Sequence, residues 1–299
     1  MCILNPIFVV GPHCSGKTLL ARCLSLLDGL MWWEEPNTVW RSGNIGAEHD
    51  RRQPVDIGSP VALQIRRSYT KKQVLTGCNR LVDDSPLHCV DLPFVRSVFP
   101  EAVIIHIFRD PRDAVYDTLQ QWHTPIYQLN AATLRFVIKR LGETPLQEWG
   151  TYFMRAARAL RSRLISKNLP EERYGVRYPG MRMDARMLTL EELACRQWQE
   201  CQRYVLNDLS KLPPNTYLCV AYETFVNAPL ETFRSIIDFI GATMNDRAYA
   251  FVSREIVRDH VGIGSDMFAT EYGQHLLSLL EPARSRVDVL LLRQSSQLS

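Results

Sequence analysis

The feature that most narrows the fold is Gly11-Pro-His-Cys-Ser-Gly16-Lys17-Thr18, a full match to G-x-x-x-x-G-K-[ST]. It stands between two contrasting patterns. Residues 3–10 form a short apolar run ending in Phe8-Val9-Val10, the mark of a buried strand. From Lys17 the spacing turns helical, with Leu20, Cys23, Leu24 and Leu27 on one face and Gly29 where the helix should stop. A strand, a glycine-bearing turn and a helix in that order make an anion cradle. The backbone N–H groups of Gly11, His13, Cys14, Ser15 and Gly16 and the helix N-terminus would face a phosphate. Lys17 adds a mobile cation, and the Thr18 hydroxyl can touch phosphate or a metal ion.

The rest of the chain repeats the strand-then-helix order. Strands are expected at 80–83, 102–108 and 217–222, with helices at 88–98 and from Pro111 to about Trp122. Another helix carries Phe233, Ile236, Ile237 and Ile240, with Asn227 and Pro229 at its start and Gly241 at its end. The strand at 102–108 is nearly all apolar, as when both faces of a sheet are covered. This alternation predicts an α/β chain: a P-loop three-layer fold with a central parallel sheet flanked by helices. Residues from about 125 to 210 read as a helical insertion, with helices near 147–167 and 190–210, and the last 55 residues read as helical. The expectation is a single domain over 1–299.

Composition excludes several classes. With 35 Lys+Arg against 32 Asp+Glu the formal charge is +3, too small for an obligate nucleic-acid binder. No run of about 18 apolar residues exists to span a membrane. The N-terminus lacks the pattern of a secretory leader, and the eight cysteines are scattered without disulfide-like density. A cytoplasmic chain with reduced thiols is expected.

Four stretches resemble the P-loop sulfotransferases, which take a sulfonate group from 3'-phosphoadenosine-5'-phosphosulfate (PAPS). "VVGPHCSGKTLLARCLS" is similar to their 5'-phosphosulfate loop, and "DDSPLHCVDLPFVRSVFPEAVIIHIFRDPRDAVYDTLQQW" to their central strand and 3'-phosphate motif. "ERYGVRYPG" with "CRQWQECQRYV" resembles a substrate-side segment, and "YLCVAYETFVNAPLETFRSIIDFIGA" the last strand and its helix. The resemblance implies PAPS as the donor, with Arg109 near its 3'-phosphate and Arg173, Arg177 and Tyr178 on the acceptor side. Glu35, in Glu34-Glu35-Pro36 beside Trp32, Trp33 and Trp40, matches the position of a catalytic glutamate in tyrosylprotein-type members, and Asp84 competes for the role of base.

The departures from the family pattern carry as much information. Cys14 stands where the loop usually has a cation, Asp84 where a lysine is usual, and Lys17 where the family generally has threonine. Asp117 replaces a 3'-phosphate-binding serine eight residues after the motif arginine. A carboxylate there repels phosphate and accepts from a free ribose hydroxyl instead. Thr118 could replace the missing hydroxyl if the helix shifted.

Three readings follow. The first is transfer of a sulfonate from PAPS to a hydroxyl or amine of a small-molecule, glycan or peptide acceptor, with Lys17, Glu35 and Asp84 as the catalytic candidates. The second is phosphoryl transfer from ATP, with Mg²⁺ held by Asp83 or Asp84 and Thr18. The third is a non-catalytic nucleotide-binding protein. The remaining polar groups are structural in this reading. His13, His88, His106 and His123 lack metal-ligand spacing, and Arg112 and the basic residues at 66, 67, 71 and 72 are solvated. Arg109 has a competing reading as an ion pair with Asp110 or Asp113, and Trp149 and Trp198 are read as core.

Overall fold

The computed structural model describes residues 5–44, 46–123, 175–213 and 216–298, with side chains to 287. The expected insertion helix at 147–167, Arg173 and Trp149 lie outside these residues.

Among the described residues, five strands form one parallel sheet in the order β2-β3-β1-β4-β5: β1 Ile7–Val10, β2 Leu30–Trp33, β3 Arg80–Asp83, β4 Val103–Phe108 and β5 Tyr217–Ala221. All four adjacent pairs are parallel, and Val10 stands opposite His106 while Phe8 stands opposite Asp83. The side chains of β1 alternate between two cores, as strand geometry requires. Phe8 and Val10 face one cluster, which includes Trp40, Phe99 and Leu206. Ile7 and Val9 face a second, built from Leu20, Phe233 and Ile237. A sheet buried on both faces by helices is the three-layer arrangement read from the sequence.

The helices follow the strands. After β1 comes α1 (Lys17–Leu24), which ends earlier than Gly29; α2 (Asn37–Trp40) and α3 (Pro60–Thr76) lie between β2 and β3. Next come α4 (His88–Val98), bent at Asp91 two residues before Pro93, and α5 (Pro111–His123). Within the range expected for the insertion are α6 (Met181–Met187) and α7 (Leu190–Leu209), the latter opened by a reciprocal cap between Thr189 and Glu192. The chain then forms α8 (Tyr222–Asn227), α9 (Pro229–Ile240), α10 (Asp246–Arg254), α11 (Ser265–Phe268) and α12 (Glu271–Leu298).

Two expectations need correction. Asn227 does not open the helix after β5; it ends the short α8, and Ala228 with Pro229 opens α9. The aromatic stretch at 31–40 is in part a strand, since Leu30–Trp33 pairs with β3.

The chain leaves β1 for β2 and β3 on one side and reaches β4 and β5 on the other. In open parallel sheets the crevice at such a reversal, at the carboxyl ends of the strands, is where ligands bind. Gly11, Glu35, Asp84 and Arg109 all come just past those ends.

Candidate functional site

The loop after β1 is shaped by two glycines. A Cβ on Gly11 would lie 2.1 Å from the backbone oxygen of Ile107 in β4 and 2.6 Å from Ser15 Oγ. Gly16 has φ of 93°, and a Cβ there would meet Tyr222 Cδ2 at 2.5 Å. Only glycine fits either place. Cys14 also takes a positive φ, of 56°. Inside this turn Lys17 is buried and its Nζ donates to Pro12 O (2.5 Å). Ser15 Oγ is closed to solvent and has no hydrogen-bond partner among the described residues. A buried, unpaired hydroxyl costs about 1–3 kcal/mol, a cost removed when a ligand oxygen arrives.

Arg109, just after β4, joins the loop. Its Nη1 donates to Cys14 O (3.0 Å) and to Asp117 Oδ2 (2.7 Å), and its Nη2 donates to His260 O (2.5 Å). The guanidinium lies 5.0 Å from the centre of the Tyr222 ring, and its buried Nε has no partner among the described residues. Lys17 and Arg109 thus meet the same turn. The expected alternative pairing of Arg109 with Asp110 or Asp113 is not the one formed. Asp110 binds Arg112 (2.6 Å), which is therefore paired rather than merely solvated. Asp113 accepts the amides of Gly262 (2.8 Å) and Gly264 (2.9 Å). The Thr118 hydroxyl is turned back onto its own helix, at Ala114 O (2.7 Å).

The same helix, α5, also covers the tip of the loop. His13 Nε2 lies 2.8 Å from Gln121 Oε1. Burial opposes charge on both His13 and Cys14, yet each offsets it for the other: His13 is held above the usual imidazole value and Cys14 below the usual thiol value. Thr118 and Lys17 add to the lowering at Cys14, and the charge of Glu35 adds to the raising at His13.

The two candidate bases sit differently. Glu35 is half-buried with φ of 40°, a left-handed conformation that costs a glutamate about 1 kcal/mol or more. Its Oε2 accepts from Asn37 Nδ2 (3.3 Å), and Asn37 Oδ1 in turn accepts from Ser85 Oγ (2.5 Å). Asp84 is buried. Its Oδ1 accepts from Trp32 Nε1 and from the Glu35 amide, both at 3.0 Å, and its Oδ2 accepts from Thr18 Oγ1 at 3.1 Å. Asp83 points into the aromatic core instead. Trp40 Nε1 (2.7 Å), the Tyr69 hydroxyl and the Ser85 amide (2.7 Å) donate to it, and His88 Nε2 lies 3.1 Å away. Its carboxylate is fully engaged there.

Other sequence candidates are structural. Arg177 is buried and binds Asp50 (2.6 Å), which also accepts from Arg41 (3.0 Å), so it does not line an acceptor pocket. Those two arginines hold the Asp50 carboxyl far below the usual carboxylate range against the effect of burial. The Tyr178 hydroxyl donates to Asp184 (2.7 Å). His106 is buried beside Gln202, and Trp198 is core. The 260–264 segment, which supplies His260 O to Arg109, carries no signal in the sequence that would bring it here.

The family model described as "Sulfotransferase family" matches residues 6–185. The sulfotransferase domain from the curacin biosynthetic pathway shares 14% identity and a TM-score of 0.50, covering 83% of this chain and 77% of that one. A sulfotransferase from Alicyclobacillus acidocaldarius shares 14% identity with a TM-score of 0.46, covering 96% and 95% of the two chains. A mouse sulfotransferase complexed with PAP shares 14% identity with a TM-score of 0.41, covering 89% of this chain and 67% of that one. No curated protein sequence matches the chain. With a parallel sheet, a phosphate-type loop at its reversal point and a family match over more than half its length, the chain belongs to the sulfotransferase family.

Proposed function

We propose that this protein transfers a sulfonate group from PAPS to a hydroxyl or amine of a small-molecule, glycan or peptide acceptor. The observation that carries the reading is the loop itself. Ser15 Oγ is buried without a partner among the described residues, two glycines let the turn pack tightly against β4 and Tyr222, and Lys17 and Arg109 both reach the turn. Such a donor set fits the anionic 5' end of PAPS. When bound, PAPS supplies the sulfonate and leaves as adenosine 3',5'-bisphosphate.

The loop amides and Ser15 orient the anion, and Lys17 neutralises charge that grows on the leaving phosphate oxygen. Glu35 takes the acceptor proton as the acceptor's oxygen or nitrogen bonds to sulfur. Asp84 suits that task less, because three donors already occupy its buried carboxylate. Cys14 and His13 shape the loop tip, and Arg109 anchors the loop at Cys14 O. Asp117 beside Arg109 weakens the fit to a 3'-phosphate without touching the 5' cradle. Among the described residues no helix is long and apolar enough to cross a membrane. That and the net charge of +3 support a cytoplasmic setting and a partner other than nucleic acid.

A second reading keeps one observation in its favour. The Thr18 hydroxyl lies 3.1 Å from Asp84 at the end of β3, next to β1, where phosphoryl-transfer enzymes of the P-loop type hold Mg²⁺. Calorimetry with adenosine 3',5'-bisphosphate, ADP and ADP–Mg²⁺ separates the readings. Binding of the bisphosphate without metal supports sulfonate transfer. Preference for ADP–Mg²⁺ supports phosphoryl transfer from ATP. Binding of none of the three removes both transferase readings. In the first case Glu35→Gln should keep bisphosphate affinity and lose PAPS turnover by about a hundredfold or more.

A further inference from the structure

We propose that Asp84 is a positioning residue that holds Glu35 in its working conformation and ties that hold to whether the loop carries a ligand. The inference rests on Glu35 as the base and adds how it is set. Asp84 gathers three elements onto one carboxylate: Thr18 from the first turn of α1, the indole of Trp32 in β2, and the amide of Glu35. Glu35 has φ of 40°, a conformation that few side chains adopt unaided. Two backbone bonds pin it: its N–H to Asp84 Oδ1 at 3.0 Å, and its carbonyl to the Asn37 amide at 2.6 Å. A buried carboxylate that accepts this amide fixes the direction in which the Glu35 side chain leaves the backbone.

The link to the loop runs through a single proton. A threonine hydroxyl has one O–H to donate. Thr18 gives it to Asp84 Oδ2 at 3.1 Å, yet Thr18 itself is exposed on the loop side of α1. A phosphate seated on the loop is a strong acceptor and competes for that proton. When Thr18 turns to the ligand, Asp84 keeps only the donors on Oδ1, Trp32 Nε1 and the Glu35 amide, and its charge concentrates on them. Loop occupancy is thereby relayed to Glu35, with the Trp32 indole as a built-in reporter.

The test follows tryptophan emission during titration with adenosine 3',5'-bisphosphate, with calorimetry run in parallel. The chain has six tryptophans, so Trp32→Phe identifies the reporter. The unmodified protein should show an emission change on binding that is lost in Trp32→Phe, Thr18→Val and Asp84→Asn. Bisphosphate affinity should stay within about tenfold in Trp32→Phe and Asp84→Asn, where the loop amides, Lys17 and the Thr18 hydroxyl remain, and should fall by about tenfold or more in Thr18→Val, so each titration is carried to saturation. Thr18 is a surface residue, so Thr18→Val keeps the test open if Asp84→Asn folds poorly. A full emission change in Thr18→Val, or in Trp32→Phe, overturns the relay. Hydrolysis of PAPS, with water as the acceptor, gives the second arm. Asp84→Asn combined with Glu35→Gln should be no slower than Glu35→Gln alone, and multiplied losses overturn the positioning role. Unchanged turnover in Glu35→Gln would instead remove Glu35 as the base while the emission arm still decides the relay.

Discussion

Arg109 Nη1 lies 2.7 Å from Asp117 Oδ2, and the same nitrogen lies 3.0 Å from the carbonyl of Cys14 at the tip of the phosphate-type loop. One guanidinium therefore serves two masters, the loop backbone and a carboxylate eight residues downstream. Asp117 is partly open to solvent, and His260 Nδ1 stands 3.4 Å from it.

Removing that carboxylate should release Arg109 toward a ligand anion. Asp117→Asn or Asp117→Ser is expected to tighten adenosine 3',5'-bisphosphate binding by about tenfold, roughly 1.4 kcal/mol, and to leave ADP affinity little changed. Calorimetry at two salt concentrations checks both, and the gain should shrink as salt rises.

The glycines of the loop should be intolerant of a methyl group. In Gly16→Ala the added carbon meets the Tyr222 ring at 2.5 Å in a left-handed backbone, and the expected destabilisation is about 1–3 kcal/mol. Gly11→Ala meets a backbone oxygen at 2.1 Å, which cannot swing aside as a side chain can, so its loss should be the larger. Thermal denaturation of the two variants gives the order.

Stability should fall in mild acid because of His106. Burial brings its pKa down from 6.5 to about 4 against the raising effect of its hydrogen bond with Gln202, and the charge of Lys17 adds to the lowering, so the folded protein keeps it neutral. The unfolded chain binds a proton there from pH 6.5 downward and gains from it, whereas the folded chain does not until about pH 4. This group's contribution is complete above pH 6.5 and declines by roughly 3 kcal/mol as pH drops through that window. Urea unfolding across the same range measures the slope, and His106→Gln should flatten it.

Cys14 should react ahead of Cys23, Cys195, Cys201 and Cys219. His13 beside it lowers its pKa, while burial pushes Cys23 and Cys195 up to about 12 and raises Cys219, and a hydrogen bond with Cys89 together with burial raises Cys201. Iodoacetamide at neutral pH should label Cys14 ahead of those four, His13→Gln should slow it, and bound bisphosphate should protect it. Peptide mapping by mass spectrometry reads the order.

The loop, β4 and Arg109 were legible because each is local: a glycine pattern, an unbroken apolar run and the residue that follows it. β2 was not. It has four residues at the sheet's edge, three of them half-buried, so Leu30–Trp33 shows neither alternation nor a long apolar run. The Asp84 hub was equally hidden, since its donors come from positions 66, 52 and 49 residues away. Arg177 looked like a ligand-side cation, and only the fold shows that Asp50, 127 residues earlier, neutralises it. Spacing reveals elements, while long-range polar pairing emerges only once those elements are packed.

Asp113 fastens the amides of Gly262 and Gly264, and Arg109 grips the carbonyl of His260 from 151 residues upstream. The tail is in this way stitched to the end of β4 and the start of α5. Trimming it before His260 would take away the acceptor of Arg109 Nη2 just past the end of β4, so shortened forms of this protein would handle nucleotides differently even with every strand intact.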